Sequence, residues 1–338
     1  MSDLQLGGRG DGTTLGTIGG TSWGALLGLS KWKTAHDIWL RVKGLEVEKP
    51  QTEPMAEGIR LEPIVADLAQ AELGGSLTSP KQETIRWPPP FNNFSSSVDR
   101  LLFLDGELAG PVELKTMSSR GTWGDGPPDY LLQLQSYIWC THLHEIERGR
   151  ECNWGALVGL QAPREVFRMI RTSEDAFKAL EHGAATLHVN VVERDPGFML
   201  KTVPHVIRWW KTHIEGDTPP PVDETESCTK ALRAHYGERS GEVEATEGLV
   251  EIALEREKVR AQIDTLSKLK TKLDNELRKM MGEATLAATD DVRVSITNVP
   301  GALRFDQKAL KDQHPLIYKR FQKRGAAFDR ISVWRNSV

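Results

Sequence analysis

The chain has 338 residues, enough to bury a full hydrophobic core and to carry an additional smaller part. Its formal net charge of −4 excludes a protein that coats nucleic acid with its whole surface, although a basic funnel inside an acidic exterior agrees with that charge. Cys140, Cys152 and Cys228 lack metal-ligand spacing and leave one cysteine over, which disfavours zinc, an iron–sulfur cluster or a disulfide framework.

Targeting signals are not expected from the sequence. The first eleven residues are polar and glycine-rich, and no apolar run is long enough to span a bilayer. We therefore expect a cytoplasmic protein, in a bacterium or a phage-infected host, that has no membrane partner.

The N-terminal elements are predicted to be helical. Short helices are expected over 21–29 and 35–43, and an apolar-periodic helix over 58–73 carries Glu62 in its first turn. Residues 20–24 also fit G-x-S-x-G, the nucleophile elbow of α/β hydrolases. That motif requires an apolar buried strand before the serine, and the preceding residues are polar and glycine-rich, so the serine-hydrolase alternative is minor.

A carboxylate pair and a lysine mark the next element. Glu113 and Lys115 alternate with apolar neighbours, so a strand projects both charged side chains from one face. An Asp-Gly turn follows the run 98–104 and predicts that this run folds back antiparallel onto the strand of Glu113. Asp99 then lies near Glu113 and Lys115.

Phosphodiester hydrolysis uses this combination of residue types. Two carboxylates suit Mg²⁺, which prefers oxygen ligands, lowers the pKa of a bound water and neutralises developing charge. Lys115 would orient or help deprotonate the water and offset charge in the transition state. The alternative is a purely structural cross-strand salt bridge, because charge clusters can also be structural.

The rest of the first part continues as mixed strands and helices. The loop 118–129 is either a simple connection or, as we favour, a lid near the chemistry. A helix is expected around 133–142, and residues 196–214 are predicted to close the core as a helix. Strands are predicted near 154–161, 165–171 and 186–193. The pattern indicates an α/β three-layer arrangement.

The C-terminal third differs in composition. An acidic, proline-containing linker is predicted over 217–245, and a long helix with heptad-spaced apolar residues over 246–281. That apolar stripe needs a partner, which is either a helix of the same chain or the same helix of a neighbouring subunit. A small β element is expected around 292–296, followed by a basic, aromatic stretch over 304–335 that is either a DNA contact or a solvated face.

The order of these motifs resembles the YqaJ-type viral recombinases and phage lambda exonuclease, which are PD-(D/E)XK nucleases. The similarity covers roughly residues 15–215, and it departs at two positions: Val98 replaces the proline that names the superfamily, and Thr14 stands where lambda exonuclease has an arginine, for which Arg9 is a possible substitute. The matching stretches are 18–22, 58–62, 97–99, 113–115, 133–135 and 187–195.

The resemblance implies a role for each matching residue. Asp99, Glu113 and the carbonyl of Leu114 are the implied metal ligands, and Lys115 is the implied catalytic lysine. Glu62 is expected to support a second ion or a water, and Gln133 to lie beside the site. The residues implied to bind DNA or its 5′ phosphate are Thr21 and Ser22, at a helix start that suits anions, together with Gln135 and Arg120.

The residues and the resemblance together predict one architecture and one activity. We expect an α/β PD-(D/E)XK exonuclease core over 1–216, with a mixed central sheet flanked by helices. The linker follows this core, and a C-terminal helical and small β appendage is expected over 246–338.

The expected activity is Mg²⁺-dependent, with Mn²⁺ as a possible substitute and two ions per site. It degrades one strand of double-stranded DNA from the 5′ end and leaves 3′ overhangs. The expected partners are DNA ends, a single-strand annealing protein and further copies of the chain in a ring. A same-fold endonuclease and a non-catalytic DNA-end-binding module are the alternatives.

Overall fold

The computed structural model describes residues 16–30, 32–45, 51–78, 84–118, 122–237, 240–302, 305–323 and 331–333. The chain divides into two compact units, Met1–Glu238 and Arg239–Val338. Within the described ranges, no helix is both long enough and apolar enough to cross a membrane.

The first unit alternates helices and strands. Its helices are α1 (Ser22–Leu26), α2 (Ala35–Val42), α3 (Glu53–Leu73), α4 (Pro128–Ile146), α5 (Arg164–Met169), α6 (Ser173–Glu181), α7 (Val203–Trp210) and α8 (Glu226–Tyr236). Its strands are β1 (Ser76–Leu77), β2 (Thr84–Arg86), β3 (Ser95–Ser97), β4 (Arg100–Leu104), β5 (Glu107–Ser118), β6 (Trp154–Ala162) and β7 (Thr186–Glu193). Two short π-helical turns, Phe198–Thr202 and Lys211–Glu215, flank α7.

A mixed five-stranded sheet forms the centre of this unit, in the order β1-β4-β5-β6-β7. Only the β5–β6 pair is parallel, and α4 supplies the crossover between these two strands. On β6, Ala156 and Val158 pack in a cluster with α3, whereas Leu157 packs with α4 on the other face. This arrangement confirms the predicted α/β class, with the sheet lying between helices.

The segment 165–171, predicted as a strand, is helical over 165–169, as part of α5. Pro163 precedes α5, and Arg60 of α3 donates hydrogen bonds to the carbonyls of Phe167 (2.7 Å) and Ile170 (2.5 Å), which satisfies the end of this short helix. The strand prediction was wrong because a short apolar pattern does not distinguish a strand from a helix. The predicted helices at 21–29 and 58–73 are observed as a shorter α1 and a longer α3.

The segment 217–245 was predicted as a linker, but α8 lies within it. Its N-cap Thr225 accepts a hydrogen bond from the amide of Cys228, and both Cys228 and Ala231 are buried. Ser227 donates a hydrogen bond to Asp37 of α2 (2.8 Å). α8 is therefore part of the first unit, which the acidic composition of the segment did not reveal.

The second unit is built around α9 (Glu247–Met281), which confirms the predicted long helix. No residue of α9 is buried within the described structure, and its apolar side chains are exposed. β8 (Leu286–Ala288) and β9 (Arg293–Ser295) form an antiparallel pair, as expected for the small β element. Helices α10 (Gln307–Gln313) and α11 (Pro315–Arg320) follow, whereas Arg304, Arg330 and Trp334 of the basic stretch lie outside the described residues.

Candidate active site

A tight hairpin brings the first carboxylate to the site. Asp105 and Gly106 both have positive φ (51° and 83°), as a two-residue turn between antiparallel strands requires. The register sets Arg100 opposite Val112, so Asp99 lies at the start of β4 beside the middle of β5. Asp99 Oδ2 accepts a 2.9 Å hydrogen bond from the main-chain amide of Leu114. The predicted hairpin geometry is confirmed.

Glu113 is the buried centre of the site, with 1% of its side chain exposed. Its neighbours Val112 and Leu114 pack toward α3, so alternation along the strand directs Glu113 toward α4. There Gln133 donates a 2.7 Å hydrogen bond from Nε2 to Glu113 Oε1, and Lys115 Nζ forms an ion pair with the same oxygen. Glu113 Oε2 is buried and has no hydrogen-bond partner among the residues that the structure describes.

Burial and the nearby Asp99 carboxylate raise the pKa of Glu113 to about 8, although Lys115 opposes this shift. Burial alone would lower the pKa of Lys115, but the charges of Glu113 and Asp99 raise it overall. Lys115 therefore carries its positive charge at neutral pH. Two carboxylates this close disfavour joint ionisation, and a cation between them would remove that penalty.

The site fits a divalent metal ion by its donor set. Asp99 and Glu113 offer carboxylate oxygens, and the unpartnered Oε2 of buried Glu113 is the kind of acceptor that a hard cation would satisfy. Within the described ranges, no group of three His, Cys, Asp or Glu side chains is placed to hold a metal. Asp99 and Glu113 are the predicted side-chain ligands that the structure brings together, and the Leu114 carbonyl as a further ligand stays a prediction.

Sequence reasoning missed Tyr137, although its spacing from Gln133 places both on one face of α4. Gln133 Nε2 donates a 2.8 Å hydrogen bond to the Tyr137 hydroxyl, and burial raises the pKa of Tyr137 well above its usual value. A Cβ on Gly20 would lie 2.4 Å from the Tyr137 ring, so the backbone can lie this close to the ring only because residue 20 is glycine. A continuous set of contacts thus joins this turn to Glu113.

Glu62 lies on α3, and its neighbour is a basic residue that the sequence did not single out. Arg100, with 3% of its side chain exposed, donates a 2.9 Å hydrogen bond from Nη1 to Glu62 Oε1. The same Nη1 donates to the carbonyl of Asp99 (2.5 Å). The prediction that Glu62 supports a second metal stays a prediction.

Thr21 and Ser22 stand at the start of α1, and both side-chain oxygens are buried. Arg41 of α2 donates a 2.9 Å hydrogen bond from Nη2 to Ser22 Oγ, and Arg41 is itself buried. The arginine that contacts the serine thus belongs to α2, which comes later in the chain. Thr14, which stands where lambda exonuclease has an arginine, and Arg9, its possible substitute, lie outside the described residues. Because Ser22 is enclosed and bonded to a cation, it is not an exposed nucleophile, which disfavours the hydrolase alternative.

Gln135, one of the two other residues predicted to contact DNA, is not brought to the carboxylate pair. Gln135 uses its side-chain amide to bond the main chain of β7 and the segment after it: Nε2 donates to the Glu193 carbonyl (2.7 Å) and Oε1 accepts from the Asp195 amide (3.0 Å). Arg120 lies outside the described residues. A contact of either residue with DNA stays a prediction.

The loop before α4, which we favoured as a lid, is anchored by Trp123. This side chain is 5% exposed, stacks on His188 and donates a 2.6 Å hydrogen bond from Nε1 to Asn190 Oδ1. A Cβ on Gly159 would lie 2.0 Å from its ring, so the sheet has a recess that the indole fills. Trp123 therefore belongs to the core, and the lid role of the loop stays a prediction.

Comparisons with known proteins agree with the motif order. Residues 11–144 match the family model of the YqaJ-like viral recombinase domain. The uncharacterized protein YqaJ of Bacillus subtilis (strain 168) is 26% identical over 317 residues, covering 90% of this chain and 88% of that relative. The predicted resemblance to the YqaJ-type family is thereby confirmed.

Two solved structures are similar to part of the chain. An alkaline exonuclease (LHK-Exo) from Laribacter hongkongensis shares 19% identity over 60% of this chain and 90% of its own, with a TM-score of 0.41. A phage related exonuclease from Haemophilus somnus 129PT shares 14% identity over 60% of this chain and 96% of its own, with a TM-score of 0.40.

Proposed function

We propose that the protein is a Mg²⁺-dependent exonuclease that hydrolyses one strand of linear double-stranded DNA from the 5′ end and leaves 3′ overhangs. The observation that carries the proposal is the buried Glu113 carboxylate, which has one oxygen without a partner in the described structure and lies beside both Asp99 and Lys115. The match to a viral recombinase domain supports a role in DNA recombination.

Four residues of the site would share the work of phosphodiester hydrolysis. Asp99 and Glu113 would hold a divalent ion, which when bound supplies charge neutralisation of the phosphate and activation of the attacking water. Lys115 keeps its charge because of the neighbouring carboxylates, so it can orient the water and offset charge in the transition state. Gln133 holds the Glu113 carboxylate in place through Oε1.

Recognition of the 5′ end is proposed for the turn that contains Thr21 and Ser22. Arg41 supplies a positive charge there, and charge-assisted hydrogen bonds from arginine suit phosphate. The turn is linked to Glu113 through Tyr137 and Gln133, so an end phosphate held here would fix the strand relative to the metal ligands. This arrangement supports cleavage from the 5′ end.

We also propose that the protein acts as a homo-oligomer, in a ring around DNA, together with a single-strand annealing protein. The exposed apolar stripe of α9 supports contacts between copies. Its heptad-spaced members have between 45% and 84% of their surface exposed: Val259, Leu266, Leu273 and Met280.

Digestion of a linear duplex tests the proposed activity. We expect release of acid-soluble nucleotides with Mg²⁺, none with EDTA, and none from Asp99→Asn, which keeps the size of the side chain. Equal release with EDTA would contradict the metal-dependent assignment, and equal release by Asp99→Asn would contradict the assignment of the site.

A further inference from the structure

Arg100 is a buried cation at the edge of the site, and it connects two acidic residues. Its Nη1 donates to Glu62 Oε1 at 2.9 Å and to the carbonyl of Asp99 at 2.5 Å. Exposed fractions of 3% for Arg100 and 23% for Glu62 place this ion pair largely out of water. The guanidinium therefore has a fixed position between α3 and the backbone of one metal-ligand residue.

The sheet separates this ion pair from the carboxylate of Glu113. Arg100 is paired across the ladder with Val112, and residues opposite each other in antiparallel strands share a face. Val112 packs in the cluster that includes α3, whereas Glu113 contacts Gln133 of α4. Glu62 and Glu113 thus approach Asp99 from opposite faces of the sheet.

A second divalent ion at Glu62 would have to displace Arg100. Removing one partner of a buried ion pair leaves an uncompensated charge, which is strongly destabilising. Here the uncompensated group is a guanidinium, and the incoming ion has the same sign of charge, so repulsion adds to that cost.

We propose that this chain binds a single divalent ion between Asp99 and Glu113, and that the Arg100 guanidinium takes the place of a second ion at Glu62. Arg100 is then a positioning residue: it holds the Glu62 carboxylate on the α3 face and fixes the backbone of Asp99. This inference rests on the proposed nuclease site, and it replaces the expectation of two ions per site.

The test counts Mn²⁺ ions bound to the full chain, by isothermal titration calorimetry and by the electron paramagnetic resonance signal of free Mn²⁺. The unmodified protein should bind one ion that is lost in Asp99→Asn. Arg100→Met should raise the count to two, and adding Glu62→Gln to that variant should return it to one. Arg60→Met is the matched control, because Arg60 lies on α3 but donates to carbonyls of residues 167 and 170, and it should leave the count at one.

A second variant, Glu62→Gln, keeps the inference testable if Arg100→Met does not fold. Glu62→Gln alone keeps an acceptor for Arg100 and should leave both the count and the affinity for Mn²⁺ within about twofold. The number of bound Mn²⁺ ions is also measured with a nuclease-resistant duplex bound, since a phosphate oxygen can complete a coordination shell.

Two ions in the unmodified protein, one of them lost in Glu62→Gln, would overturn the inference. No ion that depends on Asp99 would instead overturn the proposed nuclease site.

Discussion

Gln133 on α4 donates its 2.7 Å hydrogen bond to the same Glu113 oxygen that pairs with Lys115, so one oxygen of this buried carboxylate is used twice. The other oxygen has no partner within the described structure. Most buried carboxylates have a hydrogen-bond partner at both oxygens, so this asymmetry favours a ligand role for Glu113 over a purely structural salt bridge. A cation is the partner that the free oxygen of Glu113 would suit.

Substitution of either carboxylate should affect both cleavage and metal binding, whereas substitution of the lysine should affect cleavage alone. Glu113→Gln and Asp99→Asn should abolish cleavage and weaken Mn²⁺ binding, because they remove ligand charge. Lys115→Ala should lower the cleavage rate by about 10²-fold or more while Mn²⁺ still binds, because the ammonium stabilises charge and is not a ligand. Single-turnover rates and calorimetry measure the two effects. Loss of Mn²⁺ binding in Lys115→Ala would show that its role is misassigned.

Metal affinity should depend on pH through Glu113. Its folded-state pKa is raised to about 8, mainly by burial, so below that pH the ion must displace a proton from the carboxyl. The affinity for Mn²⁺ should therefore fall about tenfold per pH unit below 8 and level off above it. Calorimetry from about pH 6 to about pH 9 measures this slope. Constant affinity over the acidic half of that range would show that Glu113 does not exchange a proton for the ion.

A 5′ phosphate should accelerate digestion. Duplexes with a 5′ phosphate should be cut faster than those with a 5′ hydroxyl, by roughly tenfold or more, because a hydrogen bond to a charged group contributes about 1.5–3 kcal/mol. The double variant Thr21→Ala, Ser22→Ala and the single variant Arg41→Met should erase this preference, whereas Arg60→Met should keep it. Initial rates on both substrates provide the measurement, and equal rates with the unmodified protein would remove the assignment.

Trp123 should contribute to the stability of the folded protein. Trp123→Ala empties a recess against Gly159 and should lower the free energy of unfolding by about 3–5 kcal/mol. Trp32→Ala is the control, because Trp32 is 76% exposed and should change stability by less than about 0.5 kcal/mol. Urea unfolding followed by far-ultraviolet circular dichroism tests both variants. Unchanged stability with a large loss of cleavage would support the lid interpretation.

The exposed stripe of α9 should join copies of the chain. Leu266→Glu places a charge in the stripe and should lower the molar mass in light scattering. Thr265→Glu adds the same charge at the preceding position and should leave the molar mass unchanged. Since α8 belongs to the first unit, the truncated protein should lack only residues 239–338. This truncation should also lower the number of copies in the assembly. If this part instead binds DNA, the truncated protein keeps its oligomeric state, and the salt slope of binding flattens by about one for each phosphate that is no longer bound. An unchanged oligomeric state and an unchanged slope would contradict both interpretations.

The sequence predicted the parts of the site that depend on local pattern. Alternation around Glu113 and Lys115 identified a strand with both charges on one face, and the Asp-Gly turn placed Asp99 beside them. These relations involve neighbours in sequence or one hairpin, so periodicity and turn chemistry suffice to find them.

The remaining features depend on packing between distant elements. Arg41 reaches Ser22 from another helix, and Arg100 pairs with Glu62 across the space between sheet and helix, which no spacing rule encodes. The segment predicted as a strand over 165–171 contains α5 (Arg164–Met169), where Arg60 satisfies the carbonyl end. The burial of Trp123 was not predicted, because a glycine- and proline-rich loop gives no sign that Gly159 leaves a recess for an indole.

The most direct test of the proposed activity uses linear duplexes labelled at the 5′ end or the 3′ end, beside a closed circular duplex, each with and without Mg²⁺. A 5′-end exonuclease should release the 5′ label at once as a mononucleotide, retain the 3′ label on a shortening duplex, and leave the circle intact. Release should require Mg²⁺ and should be absent with Asp99→Asn. Cutting of the circle, first release of the 3′ label, or activity in EDTA would contradict the proposed activity.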